Sequence, residues 1–237
     1  MLYWVVSANF CALGQERNTD NLQLHQTEVN MVNGFNKAIG QQSRLFNGPA
    51  YISYNFNSKT NANFKDTTAF NIGTVNYDGI VYTNVPLMYD LHRDLLISQL
   101  TNGILIYSFI SEKVYTFDLL DHHFVQLQAD SVNKQMDVGF YDELYHHKLR
   151  LLARRTKNLQ QEASGLVIDN VFISKTSYYL KKGNTYYNVN SQGKFFDVLK
   201  DKKKELKQYL KDNKIRFRDN PERAMVTLAA YYDHLTN

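Results

Sequence analysis

Cysteine and proline are nearly missing from this chain: its 237 residues include one cysteine, Cys11, and three prolines. A lone cysteine excludes an internal disulfide framework and a thiolate zinc site. It lies so near the start that loss of the first residues would leave none. Long apolar runs are also missing. Beyond the first residues, none is long enough to span a bilayer as a helix. Charge of one sign is in short supply as well. The formal net charge is +4, too mild to imply a nucleic-acid partner unless it is concentrated on one surface. The motifs of common chemistries are absent too. There is no Gly-x-Ser-x-Gly nucleophile elbow, no phosphate-cradling glycine loop and no calcium-loop spacing.

What is present is the composition of a folded β protein. Apolar residues make up 43% and charged residues 21%, which is ordinary for a globular chain and wrong for a disordered one. Tyrosine (17) and phenylalanine (14) are abundant, and with Val, Ile and Thr they suit pleated, half-buried strands. The length allows one large β domain or two small ones, with enough interior for a real core.

The first residues have the pattern of an export signal. Leu2 to Leu13 carries no charge, is mostly apolar and is too short to cross a membrane. Ala12-Leu13-Gly14 puts small residues at the two positions a signal peptidase reads, so cleavage is expected before Gln15. The departure from the pattern is the missing basic stretch before the apolar run, which a start codon assigned too far downstream would explain. Lipidation of Cys11 fits less well, because bulky Phe10 precedes it. The alternative is a buried N-terminal strand. The abrupt change to Gln15-Glu16-Arg17-Asn18 favours the signal.

Residues 15–45 form a polar segment in which Val29, Val32, Phe35 and Ile39 have only rough helical spacing. Asn47-Gly48-Pro49 marks a turn. Tyr51–Tyr54 reads as a short strand and residues 55–66 as a polar loop. From Phe70 onward, short strands alternate with turns. Asp78-Gly79 between Val75–Tyr77 and Val81-Tyr82 is a strong hairpin signal, because that turn needs positive φ. Separate strands follow at Val85–Tyr89 (with Pro86 at its beginning), Leu95–Ile97, Ile104–Tyr107, Val114–Phe117 and Phe124–Leu127. Phe140–Tyr145 and Lys148–Ala153 read as a hairpin turning at His146-His147. Residues 157–170 read as a loop, and Lys182-Gly183-Asn184 turns a last hairpin between Ser177–Leu180 and Thr185–Val189. Such a series implies an antiparallel meander, which closes into a barrel or half-barrel or packs as a sandwich to avoid bare edges.

The C-terminus changes period. Phe195, Leu199, Leu206 and Leu210 place an apolar stripe on one basic helix of about five turns. Asn213 is its stop. Asn220-Pro221-Glu222 starts a second helix with a capping Asn, Pro at the first position and an acid at the positive end. Met225, Leu228, Tyr232 and Leu235 line its apolar face. The expected architecture is mainly β with C-terminal helices: an export signal at 1–14, a polar segment at 15–45, an antiparallel β domain at 46–190 and a two-helix hairpin at 191–237 packed upon it.

Four groups of residues invite a chemical reading, and each has a plainer one. His122-His123 and His146-His147 are candidate metal ligands. Adjacent strand residues point to opposite faces, so neither pair chelates one ion unless the two hairpins meet. Surface or loop-tip histidines are the plainer reading. Asp90, Asp94, Asp118 and Asp121 suggest carboxylate or calcium chemistry, but their spacing matches no calcium loop, and turn and strand-edge roles are the plainer reading. Lys148, Arg150, Arg154, Arg155 and Lys157 form a basic cluster whose alternate members face opposite ways. Lys200 to Lys207 forms another, and there a solvated helix face accounts for the charge.

Taken together, Asn47-Gly48 with Tyr51, Gly73–Gly79 (GTVNYDG), Asn84–Asp90 (NVPLMYD), Gly139-Phe140-Tyr141 and Asp201–Lys207 (DKKKELK) resemble an exported, β-rich family of uncharacterised proteins common in Bacteroidetes. That resemblance implies a periplasmic, envelope or secreted location and carries no active site. The sequence therefore assigns no catalytic, cofactor or metal residue. It is read as a non-catalytic exported envelope protein of binding or scaffolding type. The alternatives are a β-barrel carrier of an apolar or amphipathic ligand and an enzyme without a recognisable signature. The expected partner is an envelope protein, a glycan or a lipid, with no nucleic acid and no transmembrane segment.

Overall fold

A computed structural model describes residues 44–236 except 101–102, 104, 129–135 and 165–166, together with positions 27, 30, 31 and 34. The chain divides into two units, Met1–Gly40 and Gln41–Asn237. Thr27, Asn30, Met31 and Gly34 of the first unit are helical. The expected signal at 1–14 and the Val29–Ile39 pattern lie outside the described residues.

The second unit is mainly antiparallel β, with three short helices near its C-terminus. Among the described residues, ten strands form one sheet: β1 (Asn71–Tyr77), β2 (Ile80–Asp90), β3 (Leu95–Gln99), β4 (Ile106–Ser108), β5 (Val114–Leu119), β6 (His122–Leu127), β7 (Gly139–His146), β8 (Arg150–Ser164), β9 (Val167–Lys182) and β10 (Thr185–Asn188). Their order is β10-β9-β8-β7-β6-β5-β1-β2-β3-β4. Two meanders thus run outward from β1, one toward β4 and the other from β5 toward β10. The sheet is open, with β10 and β4 at its ends. Asp78 (φ 55°) and Gly79 (φ 82°) take the two positive-φ positions of the β1–β2 turn, as their sequence requires.

The sheet is strongly curled. Tyr89 on β2 and Phe140 on β7 are separated by four strand spacings, roughly 19 Å on a flat sheet. Their ring centroids are 5.8 Å apart. Beyond them, Lys157 N–H of β8 donates to the carbonyl of Leu91, just past β2 (3.2 Å). Register shifts interrupt the β1–β2, β1–β5 and β7–β8 ladders. Each extra residue bends its strand and adds twist. At the first shift, Asn84 takes a left-handed conformation (φ 58°). Gly73 stands opposite, and a Cβ there would lie 2.3 Å from the Asp118 carbonyl oxygen, so only glycine allows β5 this close.

Side chains on the inner face of the curl form the main core. Tyr89, Phe117, Phe124 and Phe140 meet there with centroids 4.6–5.8 Å apart, mostly edge to face. Phe64, from the segment before β1, packs edge-on against Phe124 at 5.1 Å. A second cluster joins Leu151 and Leu180 of the sheet, and Leu149 of the β7–β8 turn, to the helices. These are α1 (Gln192–Val198), α2 (Lys203–Asp212) and α3 (Pro221–Leu235). Leu206, Leu210 and Leu228 are buried in it, and Leu235 is half-buried. Asn220 caps α3 by accepting from Arg223 N–H at 2.9 Å, and Asn213 ends α2.

Several sequence expectations need correction. The five-turn helix and the two-helix hairpin are replaced by three helices, because the chain breaks at Leu199–Lys202. There Lys182 Nζ donates to the Val198 carbonyl (3.3 Å) and Asp201 (2.7 Å), and the Tyr232 hydroxyl donates to Asp201 (2.9 Å). These tertiary bonds stand where a straight helix would have its own. Residues 157–170 are not a loop but the far half of the β8–β9 hairpin, whose ladder continues to Ser164↔Val167. Asn158 to Ala163 is exposed on both faces, so no alternation reveals it. Val81-Tyr82 and Val85–Tyr89 are one strand, interrupted by the bulge rather than by a turn. Pro86 is tolerated inside it one residue beyond the β2–β3 ladder, which ends at Leu87↔Ser98. Tyr51–Tyr54 is not a strand. Only Ala50 bridges to β4, at Tyr107.

Candidate functional site

The histidines do not converge. His122 Nδ1 lies 2.7 Å from Asp142, His123 Nδ1 lies 2.6 Å from Asp118, His146 Nδ1 lies 3.3 Å from Glu143 and His147 Nδ1 lies 3.4 Å from Asp233. Each has its own carboxylate. Among the described residues, no group of three or more His, Cys, Asp or Glu side chains could hold an ion.

The four aspartates are likewise dispersed. Asp94 makes a bidentate pair with Arg154 (2.9 Å for each bond), which fixes the β2–β3 turn to β8. Asp118 holds His123, and Asp121 occupies a positive-φ turn position (φ 64°). Asp90 is the exception in burial, with no exposed surface. It accepts from the hydroxyls of Tyr51 (2.9 Å) and Tyr54 (2.8 Å) and from the backbone N–H of His92 (2.8 Å) and Arg93 (3.0 Å).

The first basic cluster is consumed internally. Arg150 is paired with Glu143, Arg155 with Asp142 (2.6 Å) and Glu222 (2.9 Å), and Lys157 with Asp66 (2.5 Å). Lys148 donates to the Thr236 carbonyl at 2.7 Å. In the second cluster, Lys203 pairs with Asp197 (3.2 Å) and Lys202 with Glu205 (3.8 Å), while Lys200, Lys204 and Lys207 are exposed. No helix among the described residues is long and apolar enough to cross a membrane.

A cleft of about 390 Å³ lies where no sequence motif pointed. Its floor is the face of the sheet opposite Tyr89, formed by Phe70, Met88, Ile97 and Ile106; Met88 and Ile97 are register partners on β2 and β3. One wall is the irregular segment 51–63, which carries Tyr51, Tyr54 and Phe56. Phe172 of β9 closes the far end. Its ring meets Tyr54 edge-on at 5.1 Å and lies nearly parallel to Phe56 at 6.3 Å.

The wall is held by a few strong bonds. The Asp90 carboxylate anchors Tyr51 and Tyr54 from beneath. Burial first, then the negative charge of Asp90, pushes the Tyr51 phenol well above its ordinary value. For Tyr54 the causes are burial and the hydrogen bond to Asp90. Both phenols therefore stay protonated and act as donors. The Arg93 guanidinium lies 4.1 Å from the Tyr54 ring centroid. Farther along, Lys59 N–H donates to the Asn170 carbonyl (3.0 Å), and the Thr60 hydroxyl accepts from Phe172 N–H (2.7 Å). Lys157, almost wholly buried, donates through Nζ to the carbonyls of Asn61 and Asn63, both at 2.8 Å. A segment without regular structure is thus positioned by three separate strands.

The sequence held one signal for this site. Tyr51-x-x-Tyr54-x-Phe56 sets three aromatics within an otherwise polar stretch, as in a wall with one face on the protein. The floor was illegible, because it needs the β1–β2–β3 register. No protein-family model, characterised protein or solved structure matches the chain.

Proposed function

We propose that this is a non-catalytic binding protein, exported to the cell envelope or beyond, which holds its ligand in the cleft between segment 51–63 and the outer face of β1–β4. The observation that carries the reading is the cleft itself. It is a concavity in the size range of small-molecule sites, about 300–1,000 Å³, lined by five aromatic rings and fixed by buried polar anchors. A rigid wall reduces the ordering cost of binding.

The curled sheet is best described as a half-barrel whose interior is already filled. Tyr89, Phe117, Phe124 and Phe140 occupy the space in which a barrel carrier would hold its cargo. This favours the outer cleft over an interior site. The uncharged leader-like run at Leu2–Leu13 and the Bacteroidetes resemblance support export.

Protein isolated from its natural source tests both parts. N-terminal sequencing should begin at Gln15, and retention of Leu2–Leu13 would refute export. Small-molecule mass spectrometry should detect a retained compound that is lost from Phe70→Asp. A compound retained equally by that variant would remove the cleft from the argument.

A further inference from the structure

We infer that the ligand of this cleft is a short neutral glycan, a conclusion that rests on the cleft being the binding site. Charged residues make up 21% of the chain, yet none of the fifteen lining residues is charged. A phosphate, carboxylate or ammonium group would enter such a site without a countercharge and would lose its hydration uncompensated. The nearest charges serve the protein. Asp90 is covered by the two tyrosines it anchors, and neither it nor Arg93 belongs to the lining.

Among neutral ligands, the lining separates sugars from acyl chains. Along the wall, hydroxyl side chains are interspersed with rings: Tyr51, Ser53, Tyr54, Phe56, Ser58, Thr60. Some of the polar groups are already used. Ser58 Oγ donates to the Asn170 carbonyl (2.8 Å), and Asn61 Nδ2 donates to the Asp66 carbonyl (2.8 Å). Ser53 Oγ, Thr68 Oγ1 and Asn63 Oδ1 make no hydrogen bond to another described residue, and all three residues face the cleft. An acyl chain would strip water from these groups and return nothing. A pyranose ring offers what they lack. Its C–H face packs on the faces of Phe70, Tyr54 or Phe56, while its hydroxyl rim donates to and accepts from neutral Ser, Thr and Asn. The apolar floor and polar rim match those two surfaces of a sugar.

The full chain can be tested by saturation-transfer NMR and titration calorimetry. The probes are maltotriose, cellotriose, mannotriose and triacetylchitotriose, with a heparin tetrasaccharide and monomeric lysophosphatidylcholine as comparators. The expected result is binding of at least one neutral trisaccharide in preference to both comparators. Phe70→Ala should weaken it by about tenfold or more. Thr68→Val, which keeps the shape and removes the hydroxyl, should weaken it by about threefold or more without moving the melting temperature. Saccharide binding untouched by either variant would overturn the inference. Lysophosphatidylcholine bound in place of every saccharide and lost in Phe70→Ala would overturn the glycan and leave the cleft standing. Tighter binding of the heparin fragment would overturn it as well. Failure of every probe would count against both the glycan and the cleft.

Discussion

Leu228 lies in the middle of α3 with no exposed surface, in one cluster with Leu206 and Leu210 of α2, Leu149 of the β7–β8 turn and Leu151 and Leu180 of the sheet. Replacing it with alanine deletes a buried isobutyl group where three elements meet. The surroundings cannot collapse without moving a helix or a strand, so the loss combines transfer free energy with a cavity, about 2–5 kcal/mol. For a domain of this size, 1 kcal/mol shifts the melting temperature by about 2–4 °C. The expected drop is therefore roughly 4–20 °C, a large part of a total stability of about 5–15 kcal/mol. Lys203→Ala is the control. Its ion pair with Asp197 is 3.2 Å long but half-exposed, worth at most about 1 kcal/mol. Differential scanning calorimetry on both variants checks the difference. If Leu228→Ala melts with the parent protein, the helices are not part of the cooperative fold. They would then be a detachable arm, and a pull-down with that variant should show weakened association instead.

Asp90→Ala should destabilise by at least about 4 kcal/mol in urea unfolding, because two phenols and two backbone N–H groups lose one shared acceptor at about 1–3 kcal/mol each; a loss below about 1 kcal/mol would mean that water replaces the carboxylate freely. The Asp201 anchor should be pH-dependent. Burial alone would raise its pKa, but hydrogen bonds from Lys182 and Tyr232 outweigh that and hold it below the usual carboxylate range. A depressed folded-state value stabilises above the unfolded pKa of about 3.9 and is lost as pH falls through the folded value. Parent protein should therefore melt above Asp201→Asn at neutral pH and converge with it in acid below about pH 4; a constant gap would refute the ionic contribution.

Much of the fold was legible because it rests on local chemistry. Asp78-Gly79 and Lys182-Gly183-Asn184 demand positive-φ turns, and Asn220-Pro221-Glu222 can hardly be anything but a helix start. The antiparallel pattern followed from those turns and the short strands between them. Features that depend on partners distant in sequence escaped. The β8–β9 hairpin continues past residue 157 because segment 57–60 docks on β9, so its strands carry no buried-face alternation of their own. The break at Leu199–Lys202 is imposed by Lys182 and Tyr232, from elsewhere in the chain.

The same division governs the chemistry. Residue types and spacing were enough to establish that no recognised catalytic, nucleotide or calcium pattern exists, and that adjacent histidines cannot share an ion. They could not say that Arg150, Arg154, Arg155 and Lys157 are each paired with a carboxylate, because those carboxylates come from the β2–β3 turn, β7, α3 and the segment before β1. Nor could they reveal the cleft. Its wall is seven or more residues before its floor and over a hundred before Phe172, and these meet only once bulges curl the sheet and β9 reaches back to segment 51–63. Turns and caps are set by a few adjacent backbone angles, and sequence suffices for them; a concave surface is set by register and curvature, which exist only in the folded chain.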